Sequence, residues 1–289
     1  MPSLIDIRRR IRAVKSTQQI TKAMKMVAAA NLRRSQERAL SARPYSQMTE
    51  RVIKSLSTRV DSSAHPLLAQ PDDPNGTALV IVITADKGMS GSFNANIIRA
   101  AGNFLIDQGS RPVTLGLVGR KGRDYFRRRN FPSRFEMVNF LRKPEYHHAQ
   151  EIAQEAMDAF TKGEVNEVYL AFNEFKSVLQ QRVVINRLLP LKAERLEQDA
   201  SAAPIDYLYE PNPQAIFEAL LPRYVEIEVW HALLESNAAQ NAAQMVAMDN
   251  ATKNSGEVID SLTLTMNKVR QAAITKEIIE VVSGAGAPA

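Results

Sequence analysis

Two short segments carry the residue types of a phosphate cradle. Lys87-Gly88-Met89-Ser90-Gly91-Ser92 follows an apolar run and precedes a stretch that reads as a helix. Backbone N–H groups and a lysine placed at a helix start could hold an anion. The spacing does not comply. Neither Gly-Lys-Ser/Thr nor GxGxxG occurs, so a tight strand-to-helix turn is the better reading. Gly116-Leu117-Val118-Gly119-Arg120-Lys121-Gly122 is richer in glycine and fails the same patterns. The histidines offer no metal site: His147 and His148 are adjacent and would face apart on a helix, while His65 and His231 stand alone. No Ser/His/Asp set or carboxylate pair stands out among 31 acidic residues. The absence of cysteine excludes disulfides and thiolate chemistry. Neither a catalytic residue nor a cofactor is expected.

The basic run Arg8, Arg9, Arg10, Arg12, Lys15 could meet nucleic acid. No aromatic residue is available for stacking between positions 1 and 44, and no reading motif accompanies the run. A solvated basic face, or attraction to an acidic protein surface, fits better, so no nucleic-acid partner is expected. Arg127-Arg128-Arg129 reads as cations at the carbonyl pole of a helix.

The elements that would position such groups are unevenly distributed. Residues 66 to 222 hold nine of the twelve glycines and eleven of the fourteen prolines. From Ser3 to Arg43 there is neither, and from Arg223 to Ser283 there is only Gly256. The chain therefore reads as an N-terminal helical arm (1–64), an α/β middle domain with a connector (65–212) and a C-terminal helical arm (213–289). In the middle, Thr77–Thr84 reads as a strand buried on both faces, followed by a helix over 94–108 and a strand over 113–118. A helix over 124–129, a third strand over 135–140 and a helix over 145–161 come next. Strands over 167–173 and 182–188 complete a Rossmann-like alternation that predicts a parallel sheet.

The arms show 3-4 spacing. Leu4, Ile7, Ile11 and Val14 are followed by a slip, then Ile20, Met24 and Val27, and later Tyr45, Met48, Val52, Leu56 and Val60. In the C-terminal arm Ile259, Leu262, Met266, Val269 and Ala273 keep the pattern. These are coiled-coil seams with discontinuities. Alanine clusters at 28–30 and at 238, 239, 242 and 243 would let two backbones approach closely. Both arms join the same domain, so side by side they must be antiparallel. Asn212-Pro213 predicts a helix start and Pro222 a kink. At 1.5 Å per residue the C-terminal arm would reach roughly 105 Å and the N-terminal one about 90 Å, leaving the C-terminus alone at the tip. That tip carries Ile278, Ile279, Val281 and Val282 before a glycine stop. Its apolar surface calls for burial in another protein.

Charge agrees with an external partner. Residues 1–64 carry fourteen Lys/Arg against four Asp/Glu, whereas 223–283 carry five against eight. The surplus on the arms asks for an acidic surface. No apolar run is long enough to span a bilayer, and arginines interrupt any signal-peptide core.

Specific blocks then resemble one family, the gamma subunits of F-type ATP synthases. Ile274 to Ala287 fits the terminal signature Ile-Thr-x-Glu-x-x-acid-x-x-x-Gly-Ala-x-small without a mismatch. Met24–Ala30, Met245–Thr252, Ala85–Gly91 and Tyr207–Pro211 resemble further family blocks in the right order. The resemblance implies a central rotor shaft inside a hexamer of alpha and beta subunits, clasped by epsilon and resting on the c-subunit ring. It implies no catalysis by this chain, and a peripheral position on the membrane. With no presequence, the cytoplasmic face of a bacterial inner membrane is expected. Carried over by position, Met24, Gln271, Thr275 and Glu277 would contact the hexamer, with Ile278 and Val281 in the apolar bearing. Tyr207 and Glu210 would face the ring and epsilon. Gln244 stands where many relatives have arginine, which weakens any catch there, and Ser90 replaces a cysteine of some relatives.

Overall fold

The computed structural model describes residues 3–57, 65–70, 73, 75–191, 210 and 212–285. The chain opens with α1 (Leu4–Ser57). It continues through β1 (Ala78–Ile83), α2 (Phe93–Asp107), β2 (Val113–Val118), α3 (Arg120–Arg127), β3 (Ser133–Met137) and α4 (Tyr146–Thr161). Strands β4 (Glu167–Phe175) and β5 (Gln181–Leu189) precede the last helix, α5 (Pro213–Ala285). Packing divides the chain into two compact units, one of residues 1–28 with 245–289 and one of residues 29–244.

In the unit of residues 29–244 the strands form one sheet in the order β3-β2-β1-β4-β5. The alternation of β1 explains its central place. Leu79, Ile81 and Ile83 face a core completed by α4 and by Phe217, Leu221, Val225 and Val229 of α5, with Ile53 and Leu56 of α1. Val80 and Val82 face the opposite core, filled by Ile97, Ala101 and Leu105 of α2 and Phe126 of α3. A strand with both faces covered must be apolar throughout, and all six residues of β1 are buried.

Three differences from the sequence reading have physical reasons. The sheet is not wholly parallel, because β5 pairs antiparallel with β4. Only residues 176–180 separate the two strands, too few for a crossover, so they close as a hairpin. Helix α3 starts at Arg120 rather than 124, since Gly119 takes φ 88° and turns β2 straight into it. The third strand ends at Met137, before Asn139 with φ 72°. The expected start of α5 holds: Asn212 Oδ1 accepts from the Ala215 N–H at 2.8 Å. Helix α5 runs unbroken through Pro222 and also through Gly284.

A polar cluster ties β4 to its neighbours. Glu167 takes ion pairs from Arg111 and from Arg187, the latter at 3.3 Å, and accepts from Tyr169 Oη at 3.0 Å. Burial alone would raise the Glu167 carboxyl, yet these hydrogen bonds hold it below its ordinary range. A lowered folded-state pKa stabilises the fold above the ordinary carboxylate range and loses that stabilisation as pH falls through the lowered value. Glu167→Gln, which leaves two guanidinium groups without their carboxylate, is expected to cost about 3 kcal/mol at neutral pH. Denaturant midpoints measured across pH should show the gap from wild type closing in acid; a gap independent of pH would refute this role.

In the unit of residues 1–28 with 245–289 the helices α1 and α5 lie antiparallel. Thr21 Oγ1 meets Thr252 Oγ1 at 2.8 Å, and Lys25 Nζ pairs with Asp249 at 2.6 Å. The expected slip after Val14 is absent. Covered positions continue at 18, 21, 25 and 28 without a break, and Ile20 and Val27 face outward. The seam looked broken only because its middle is polar. Gln18, Thr21 and Lys25 each find a partner across the seam, so their burial is compensated. On α1 past residue 28 the same repeat passes through Leu32, Ser35, Thr49, Ile53 and Leu56, while Tyr45 and Met48 are exposed. Val60 lies outside the described residues.

Candidate functional site

The loops that could have cradled phosphate are occupied by their own backbone. Met89 and Gly91 take φ 67° and 54°, so the β1–α2 link is a turn. Asp86 Oδ1 accepts the N–H groups of Arg120 and Asn139 at 3.1 and 2.7 Å, which spends the carboxylate on holding neighbouring loops together. The histidines serve local structure. His65 Nδ1 accepts from the Leu67 N–H, and His148 completes the N-terminal cap of α4. His231 approaches Glu235 at 3.5 Å. Among the described residues no group of His, Cys, Asp or Glu could hold a metal.

The chemistry that remains is that of a surface, and it lies at the end of α5. Paired positions across the seam, 25 with 249 and 21 with 252, each add to 273 or 274. On that register Leu4, the first residue of α1, reaches about position 270, and among the described residues α5 beyond it has no companion helix. Accordingly every residue from Gln271 to Val282 is exposed. The seam predicted through Val269 is covered, but Ala273 is not.

Spacing collects the predicted residues on this segment. Gln271, Ile274, Thr275, Ile278, Val281 and Val282 recur at three- and four-residue steps and so share one face of the helix. Glu277 lies at its flank, and Lys276 and Glu280 pair at 3.5 Å on the opposite side of the helix. Thr275 Oγ1 donates to the Gln271 carbonyl at 2.9 Å, keeping that hydroxyl from being an open donor. Relative exposures of 58, 59, 71 and 66% for Ile278, Ile279, Val281 and Val282 leave large apolar side chains in water. That exposure is costly unless a partner covers them.

Met24 does not join this group. It is half-buried and stands level with about position 250 on α5, roughly 30 Å from Gln271 at 1.5 Å per residue. Beside it is a feature that hydrophobic periodicity missed. Asp249 holds Lys25 at 2.6 Å and Lys253 at 3.1 Å, and the hydrogen bond from Lys25, followed by that from Lys253, lowers its carboxyl. The signal was available in the uninterrupted count of sevens through Gln18 and Lys25. Arg8, Arg9, Arg10, Arg12 and Lys15 are exposed, as a solvated basic face requires. Glu210 is exposed, whereas Tyr207 lies outside the described residues. Among the described residues no helix is long and apolar enough to cross a membrane.

Comparisons with known proteins converge on one assignment. A family model described as ATP synthase matches residues 3–287. The ATP synthase gamma chain of Solibacter usitatus (strain Ellin6076) is 52% identical over 291 residues, spanning 99% of each chain. That of Anaeromyxobacter sp. (strain Fw109-5) is 48% identical over 292 residues, again with 99% of each covered. Among solved structures, a chain of the central stalk and c ring of the Tetrahymena thermophila mitochondrial ATP synthase aligns with TM-score 0.60 at 27% identity. The alignment covers 80% of this chain and 99% of that one. A chain of the Euglena gracilis mitochondrial ATP synthase rotor aligns with TM-score 0.65 over 94% and 98% of the two chains; at 18% identity this is a likeness of fold.

Proposed function

This chain belongs to the gamma-chain family of F-type ATP synthases, whose place is the central stalk, and from that premise we propose how its parts divide the work. The paired arms are the shaft, turning within a hexamer of alpha and beta subunits. The α/β domain is held by epsilon and seated on the c-subunit ring. The chain hydrolyses nothing itself. It couples rotation of the ring to the conformational cycle of the catalytic subunits, as a peripheral protein on the cytoplasmic face of a bacterial inner membrane.

One observation carries this reading: α5 extends past the reach of α1 and presents an apolar face that none of the described residues of its own chain covers. A turning part cannot keep fixed directional bonds. Apolar contact is nondirectional, so it resists sliding less than a ring of hydrogen bonds would. Gln271, Thr275, Ile278 and Val281 form the bearing face with Glu277 beside it. Met24 contacts the hexamer at a separate, lower level of the shaft. Glu210 and Tyr207 belong to the contact with the ring and epsilon. The basic surplus of the N-terminal arm attracts acidic surfaces of the catalytic subunits.

The chain has no cysteine, so Val281→Cys places a single thiol on the bearing face. Coexpressed with its alpha, beta and epsilon subunits and labelled at that thiol through a disulfide with a benzophenone methanethiosulfonate, this variant is expected to copurify with the hexamer and to cross-link to it on irradiation, arresting ATP-driven rotation. Reduction should restore turnover. Copurification without any cross-link at that position would place the tip elsewhere and defeat the bearing assignment.

A further inference from the structure

The unit of residues 29–244 contains a second candidate site. A cavity of about 630 Å³ opens between α1 and the segment joining β3 to α4. Arg34 and Arg38 enter it from α1, Arg142 and Lys143 from the joining segment, and no carboxylate lines it. Among the described residues the three arginines have no ion-pair partner, and Lys143 has only a 3.6 Å approach to the exposed Glu145. Four like charges around one hollow repel each other, and an anion seated among them removes that repulsion.

The wall that carries Arg142 is fixed in place. Asn237, buried on α5, donates from Nδ2 to the carbonyls of Leu141 and Arg142 at 2.5 and 3.3 Å. Its Oδ1 accepts from Ser35 Oγ, and Asn241 Nδ2 donates to that Ser35 oxygen at 3.0 Å. The floor is thus polar, satisfied and held to both helices. One side is aromatic, where the rings of Phe140 and His148 stack at 4.3 Å with 10° between their planes. His148 Nδ1 is engaged at the α4 cap by the Glu145 N–H at 3.1 Å, which leaves Nε2 as its open nitrogen.

A flat acidic protein surface would match cations spread along one helix face. Here guanidinium groups from two elements converge on a polar hollow, which suits a compact group with several charged oxygens that arginine forks can share. We propose that this cavity binds a phosphate-bearing anion, either a free diphosphate or polyphosphate or the phosphate tail of a nucleotide. Nothing in the stalk role requires such a site.

The test is calorimetric titration of the full-length chain at low ionic strength, with inorganic pyrophosphate and with ADP. One saturable site per chain is expected for at least one of them, weakened about tenfold or more by Arg34→Ala or by Arg142→Ala. Both side chains are exposed, so an unchanged thermal midpoint should confirm that the fold survives. The double substitution Arg127→Ala with Arg128→Ala removes two exposed charges outside the cavity and should leave binding intact. Pyrophosphate binding as tightly as ADP identifies a free phosphate ligand. Tighter ADP binding that weakens in Phe140→Leu identifies a nucleotide stacked on that ring. The proposal is overturned by the absence of saturable heat, by an equal loss in the control variant, or by hexaglutamate displacing both ligands more tightly through the same arginines.

Discussion

A chain ending at Ile274 is expected to fold as the full-length chain does and to bind the catalytic hexamer about tenfold to a hundredfold more weakly. The two halves of that expectation have separate causes. Folding is spared because Ile278, Ile279, Val281 and Val282 are exposed and every residue from Thr275 to Val282 lies beyond the reach of α1. Their removal opens no cavity and strands no buried polar group. Binding suffers because fully burying such a side chain contributes about 1.5–3 kcal/mol. A sliding bearing covers them only in part, so the four together contribute on the order of 2 kcal/mol, within the range stated. Affinity for the alpha/beta hexamer, together with ATP synthesis by the reconstituted complex, measures the loss, and a thermal scan of the isolated chain checks the fold. Full-length affinity in the truncated chain would show that the tip touches nothing. A large drop in thermal midpoint would show that it packs against its own chain.

The sequence disclosed the features that depend on composition over long windows. Helices α1 and α5 follow from the near absence of glycine and proline, and the central place of β1 follows from six consecutive apolar residues. What stayed hidden depends on partners distant in sequence. Thr21 and Lys25 read as interruptions of an apolar seam because Thr252 and Asp249, which satisfy them, lie more than two hundred residues away. The antiparallel β5 was legible in principle, since five residues cannot make a crossover, but the regular alternation of strand and helix masked it. For the site, the resemblance named Gln271, Thr275, Ile278 and Val281, whose spacing puts them on one helix face. It gave no sign that Met24 stands some 30 Å away along the same pair of helices. The cavity lined by Arg34 and Arg142 had no linear signature, because its walls come from α1 and from the segment before α4.

Gly119→Ala is expected to cost on the order of 4 kcal/mol or more, a large fraction of the stability of a folded domain. Gly88→Ala, by contrast, should stay within about 0.5 kcal/mol of wild type. The two glycines sit in the two segments that resemble phosphate cradles, and geometry separates them. At Gly119, φ is +88° and an added Cβ would lie 1.8 Å from the Thr84 carbonyl oxygen. That oxygen belongs to backbone at the end of β1 and cannot swing aside. Thr84 is held further, donating from Oγ1 to the Val118 carbonyl at 3.0 Å and accepting from the Gly122 N–H at 2.8 Å. The missing side chain at 119 therefore lets α3 start against the end of β1, and the requirement is steric. At Gly88 the nearest atom to an added Cβ is Lys121 Cε at 3.8 Å, ordinary contact with a flexible side chain. Denaturant midpoints of the two variants decide the matter. If Gly119→Ala kept wild-type stability, the close approach to Thr84 could not be what selects glycine there, and a ligand reading of that segment would regain its force.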